Sequence, residues 1–201
     1  MTLRALVLNC TLTSSPAASS TDKLGQEVLD ALADHNVAGS MIRVVDRDVR
    51  PGVELDMGDG DEWPAIREDL MAADILVLAT PTWVGQHSSV AQRVFERLDA
   101  ELSQTDEEGR LQTYGKVAVA VVVGNEDGAH HITAVIYQVL SDVGFTIPAA
   151  GVTYWNGEAM HTTDYKDLTS ASEKTDQATK SLAANAAHLA QLLKDTPYPP
   201  A

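Results

Sequence analysis

Three short runs, "LRALVLN" (3–9), "DILVLAT" (74–80) and "KVAVAVVVG" (116–124), are almost unbroken in apolar residues. A strand with one wet face alternates, so runs apolar on both faces predict parallel strands covered on each side by helices. These three form the centre of the sheet. "SMIRVVD" (40–46) alternates more and predicts an edge strand, and "GVTYWN" (151–156) predicts the last one. Between the strands, apolar residues recur at helical spacing: Leu24, Val28, Ala31 and Leu32; Val90, Val94 and Leu98; Ile132, Val135, Ile136, Val139 and Val143. Each set gives its helix one apolar stripe. Leu182, Ala186, Leu189 and Leu193 predict a final helix that stops before "TPYPP", whose prolines cannot continue it. The reading is an alternating βαβαβαβαβα chain, and right-handed crossovers fold such a chain into one three-layer α/β domain over residues 1–201. The irregular stretch 47–64 is either a loop over a site at the carboxyl edge of the sheet or a solvated connection.

Composition narrows the partners. The chain has 201 residues with 14 basic and 29 acidic side chains, for a formal net charge of -15. That balance opposes binding to nucleic acid or to an anionic membrane surface, both of which reward basic residues. No apolar run approaches the roughly 20 residues that span a bilayer. The start, "MTLRALVLNC", reads as a strand and not as a signal peptide, and the single cysteine, Cys10, forms no internal disulfide, so the expected location is cytoplasmic.

Ligands of an open parallel sheet collect beyond the carboxyl ends of its strands. The loop after the first strand, "NCTLTSSPAASSTDKL" (9–24), holds seven Ser or Thr residues, no Arg, and one late Lys. It lacks both G-x-G-x-x-G and G-x-x-x-x-G-K-[ST], which argues against a Rossmann dinucleotide site and a P-loop. Its hydroxyls either cradle a phosphate monoester at a helix start or only cap the helix. The second loop, in "TPTWVGQHSSVAQRVFERLD" (80–99), combines Pro81, Gly85 and the flat ring of Trp83. The third, "VGNEDGAHHI" (123–132), sets polar residues between Gly124 and Gly128, and its N–H groups suit the carbonyl oxygens of a planar ring. His130 and His131 are adjacent and lack a matching ligand pair, so no metal is expected; His131 is either a ligand-contacting or catalytic residue, or a helix-start residue at the surface.

The segments "TPTWVGQHSSVAQRVFERLD", "GKVAVAVVVGNEDGAHH" and "LSDVGFTIPAAGVTYWNGEA" together resemble the NADPH-dependent FMN reductase-like branch of the flavodoxin superfamily. Pro81, Thr82, Gly85, Phe95 and Asp99 occupy its middle motif, with Trp83 where a ring-contacting residue often lies. Gly124, Asn125, Gly128 and His131 resemble its flavin-edge loop. The resemblance implies a flavodoxin-like three-layer αβα sandwich, a five-stranded parallel sheet of order 2-1-3-4-5, and FMN at the boundary of the first and third strands. Thr11, Thr13, Ser19, Ser20 and Thr21 would then surround the FMN phosphate. Pro81, Thr82, Trp83, Val84 and Gly85 would flank the ring on one side, and Gly124, Asn125, Glu126, Asp127 and Gly128 on the other. The first loop departs from the usual G-S-x-R-x-x-S form in being longer and having neither Gly nor Arg.

The implied activity is an oxidoreductase that takes hydride from NAD(P)H onto FMN and passes it to a quinone, a flavin or another small acceptor. Tyr154 and Trp155, with Trp83, are the expected apolar walls for that acceptor, against the alternative of core packing. A flavodoxin-like electron carrier and a non-catalytic FMN-binding module are the other readings. The resemblance also implies a homodimer or homotetramer whose neighbour helps to close the flavin site, with 47–64 and its Trp63 as the expected contact.

Overall fold

The computed structural model describes residues 2–157 and 161–200. Its elements are β1 (Leu3–Asn9), α1 (Ser20–Ala33), β2 (Val37–Arg43), α2 (Trp63–Ala72), β3 (Ile75–Pro81), α3 (Ser89–Leu98), β4 (Val117–Val123), α4 (Ala129–Asp142), β5 (Val152–Trp155) and α5 (Glu173–Asp195). All strand pairs are parallel, in the order β2-β1-β3-β4-β5. This is the flavodoxin-like order expected from the resemblance.

The unbroken apolar runs have the predicted cause. Every residue of β4 is buried, because alternate side chains enter two separate cores. Ala118, Ala120 and Val122 join Leu6, Leu8, Leu76 and Leu78 beneath α2, α3 and α4. Val117, Val119, Val121 and Val123 join Val7, Ile75 and Val77 beneath α1 and α5. The edge strand β2 begins three residues before the predicted run, and its Ala38, Gly39 and Ser40 are exposed, as suits an edge.

The helix that the alternating order requires between β2 and β3 had no clear stripe to place it. The stripe of α2 is only Trp63, Ile66 and Leu70, and charged Arg67, Glu68 and Asp69 interrupt it. Pro64 opens it, where a missing N–H costs nothing. Lys116 closes it by donating from Nζ to the carbonyls of Met71 (2.7 Å) and Ala73 (2.8 Å). Burial lowers the pKa of that ammonium.

The same segment holds Trp63 inside the subunit, so its ring is not exposed for the expected subunit contact. Trp63 is fully buried, with the Arg97 guanidinium 5.5 Å from its ring. Arg97 also pairs with Asp61 at 2.7 Å, both side chains being inaccessible to solvent, and donates to the carbonyls of Arg50 (3.1 Å) and Glu54 (2.8 Å). Loop 47–62 is thus fastened to α3 by buried Arg97 and, at Val49, by Arg93, which donates to its carbonyl at 2.8 Å.

Candidate functional site

At the carboxyl edge of the sheet, the loops after β1, β3 and β4 meet where the strand order reverses. They enclose a crevice of about 210 Å³ lined by Thr11, Thr13, Ser19, Ser20, Thr21, Pro81, Thr82, Trp83, Gly124, Asn125 and Glu126 of the expected site residues. Leu12, Ala18, Val123, Asp164 and Lys166 complete the lining.

The hydroxyls of the first loop do two jobs. Ser19 is the N-cap of α1, its Oγ accepting from the Asp22 N–H at 3.4 Å. Its own proton goes to Thr11 Oγ1 (3.0 Å), which also accepts from the Thr13 N–H (3.2 Å). Thr11 Oγ1, having accepted twice, keeps its own proton to donate. Ser14 and Ser15 lie outside the crevice lining; Ser15 instead binds Asp46 through its N–H (2.9 Å) and Oγ (2.5 Å), which together hold that carboxyl below its usual range. The long loop is braced from outside. Arg43, at the end of β2, donates to the carbonyls of Thr13 (3.3 Å) and Ala17 (2.9 Å) and pairs with Asp22 at 2.9 Å. Asn9 accepts from the Thr11 N–H (3.1 Å) and donates to Asp22 (3.1 Å).

The other two loops interlock. Trp83 and Gln86 exchange backbone hydrogen bonds of 2.8 and 2.9 Å around Val84 and Gly85, whose φ values of +52° and +70° make a mirror-image turn. A Cβ on Gly128 (φ +140°) would lie 2.9 Å from Gly85 Cα and 2.9 Å from its carbonyl oxygen. A Cβ on Gly124 would lie 2.9 Å from Thr82 Cβ. The Gly85 N–H points at Glu126 Oε2 (3.3 Å), and His131 Nε2 meets Gln86 Oε1 (3.0 Å). Val84, Gly85, Asp127, Gly128 and His131 therefore shape the crevice from behind without lining it, and His131 is an exposed tie between loops. Ser88 caps α3 and donates to the Cys10 carbonyl at 2.6 Å, joining this turn to the first loop. Cys10 itself is buried, which raises its thiol pKa and keeps it out of the chemistry.

Val84 is β-branched, 89% exposed and left-handed, a combination that costs stability. Val84→Asn is expected to raise the unfolding free energy by about 1 kcal/mol, because Asn tolerates that backbone. A urea melt measures it, and an unchanged or lowered midpoint would contradict the strain.

Tyr154 and Trp155 stand elsewhere. As neighbours on β5 they join opposite cores: Tyr154 packs beside His130 (5.2 Å between rings) and Trp155 beside Tyr165 (5.4 Å). The two rings do not face each other across one slot with Trp83. Both border a second, wider cavity of about 850 Å³ near the start of α5. The sequence reading missed Arg43 and Lys166, which reach the first loop from distant segments, and Asp164, which meets Asn125 of the third loop; none carries a local motif.

Residues 3–159 match the family described as NADPH-dependent FMN reductase. The chain belongs to that family. It is also 32% identical over 208 residues to the 8-demethyl-8-aminoriboflavin-5'-phosphate synthase of Streptomyces davaonensis, covering 98% of this chain and 81% of the relative. The structure of RosB with bound 8-demethyl-8-formylriboflavin-5'-phosphate superposes with a TM-score of 0.87 at 31% identity, over 98% of this chain and 82% of that one. A Mycobacterium bovis protein called divalent metal cation transporter MntH is 38% identical over 199 residues; these cover 96% of this chain but only 29% of that protein's length. Among the described residues of this FMN reductase family member, no helix is long and apolar enough to cross a membrane. Nor do three or more His, Cys, Asp or Glu side chains gather there to hold a metal ion. The family, the Streptomyces synthase and RosB are all flavin-related, and a flavin is the cofactor that they support.

Proposed function

We propose that this chain binds FMN in the crevice between β1 and β3 and works as an NAD(P)H-dependent oxidoreductase, with a quinone, a flavin or another small molecule as acceptor. The observation that carries the reading is the meeting of a hydroxyl loop at a helix start with two glycine-tightened loops in one crevice. The residues fit the group. At the start of α1 the N–H groups of Ser20 and Thr21 have no protein acceptor among the described residues, and Thr11 keeps a hydroxyl proton, so a phosphate finds donors there. The Asn125 and Glu126 N–H groups are likewise unclaimed among the described residues and suit the carbonyl edge of a planar ring. Bound flavin supplies reversible hydride transfer. The chain supplies the phosphate donors, the half-exposed face of Trp83, and loops that resist displacement. A homodimer or homotetramer belongs to this proposal, with the exposed tip of Leu12, Trp83 and Val84, in place of Trp63, as the surface a second copy would cover.

The likeness to RosB and to the synthase over 98% of the chain favours a second reading, in which riboflavin 5'-phosphate is substrate and leaves altered. One experiment separates the two. Protein loaded with FMN is mixed anaerobically with NADPH or NADH while the flavin band near about 450 nm is followed. Bleaching, and its return on adding a quinone, is the expected result. No bleaching with either nicotinamide would sink the reductase, and a flavin of changed mass after aerobic incubation would favour the second reading.

A further inference from the structure

A phosphate monoester is a dianion near neutral pH, yet the hydroxyl loop around the crevice brings no cation of its own. Arg43 lies behind that loop, bound to Asp22 and to two carbonyls. Lys23, on α1, is turned away, donating to the carbonyls of Tyr165 (3.3 Å) and Leu168 (2.5 Å). Among the described residues lining the crevice, one is basic: Lys166.

We infer that Lys166, on a strap running from His161 to Leu168 after β5, is the charge this chain sets against the flavin phosphate, and so the residue that selects FMN over riboflavin. The inference rests on the flavin site proposed above. The strap is fixed at both ends. Asn125 donates to the His161 carbonyl (2.8 Å) and reaches Asp164 (3.4 Å), while Lys23 holds the far end and the Tyr165 hydroxyl binds Glu27. Between these anchors the Lys166 N–H donates to Ser20 Oγ at 3.1 Å, which puts this residue against the first turn of α1. Ser20, having accepted that bond, retains a proton to give to a phosphate oxygen.

The Lys166 ammonium rests against Asp164 and lies 3.6 Å from Asp167. It has three protons, enough to keep Asp164 and also meet a phosphate oxygen. Its contribution is tempered, because these two carboxylates already share its charge and Glu126 adds another to the lining. The discrimination between FMN and riboflavin should therefore be moderate, not absolute, and sensitive to salt.

The test is a fluorescence titration of flavin-free protein with FMN and with riboflavin, for the wild type, Lys166→Gln and Lys166→Arg. In Lys166→Gln the FMN dissociation constant is expected to rise about tenfold, the low end for a charge-assisted hydrogen bond. Riboflavin affinity should move by less than about twofold, and Lys166→Arg should keep most of the FMN preference. Added salt should weaken FMN binding more in the wild type than in Lys166→Gln. An unchanged ratio of FMN to riboflavin affinity in Lys166→Gln overturns the role of Lys166 alone. Equal losses for both flavins also overturn it, since that marks a structural part. A wild-type protein that binds neither flavin overturns the site itself.

Discussion

Asp61→Ala is expected to lower the unfolding free energy by about 3–5 kcal/mol, the cost of leaving a buried charge without its partner. Both members of the Asp61–Arg97 pair are inaccessible to solvent and 2.7 Å apart, and Arg97 also faces Trp63. Burial opposes ionisation of Asp61, but donors from Met57, Arg97, Arg50 and Trp63 outweigh it and hold the carboxyl below its ordinary range. A group depressed in the folded state adds stability above its unfolded pKa and loses it as pH falls through the folded value. The contribution is thus full above about pH 4 and fades with acidification below it. Denaturant melts from neutral to strongly acid pH check both points. Wild type should converge on Asp61→Ala in acid, and the further change Arg97→Met should recover part of the loss by removing the orphaned cation. A wild type no more stable than Asp61→Ala at neutral pH would show that the pair does not hold loop 47–62 in place.

Gly128→Ala carries the second large effect, this time on the site. Its new Cβ would stand 2.9 Å from backbone atoms of Gly85, and its φ of +140° disfavours any side chain. Neither loop has a flexible group that can swing aside, so the two must separate. A strain of about 2 kcal/mol transmitted to the ring pocket weakens flavin binding about thirtyfold. Titrating the variant with FMN measures this. Wild-type affinity would mean that these loops do not wall the flavin ring.

The legible parts of the molecule were those written locally. The runs that became β1, β3 and β4 were plain because each is apolar on both faces, and the helix stripes of α1, α4 and α5 because each is long; α3, no longer than α2, showed itself by keeping Val94, Phe95 and Leu98 on one face and its charged residues mostly on the other. The edge strand β2 was misplaced by three residues since exposed Ala38, Gly39 and Ser40 give no apolar signal. The stripe of α2 follows directly on an irregular acidic stretch and is interrupted by Arg67, Glu68 and Asp69, so neither the helix nor the burial of Trp63 stands out locally. That burial depends on Arg97, 34 positions away, and no local pattern announces such a partner. The hydroxyl loop announced itself; the residues that brace it did not. Arg43 and Lys166 reach it across the sheet edge and from beyond β5, so their part is visible only once the chain is folded.

That dispersal bears on the order in which the protein matures during synthesis. Asn9, Arg43 and the 161–168 strap all hold the first loop, so its final shape needs chain made from the first strand to the end of the strap. A nascent chain showing only β1 to β5 already owns its sheet, but the cradle still lacks its outer wall. Flavin uptake would then need the chain through Leu168 and α5, which covers one face of the sheet, and the capture of the yellow chromophore would report that the fold has closed around its own beginning.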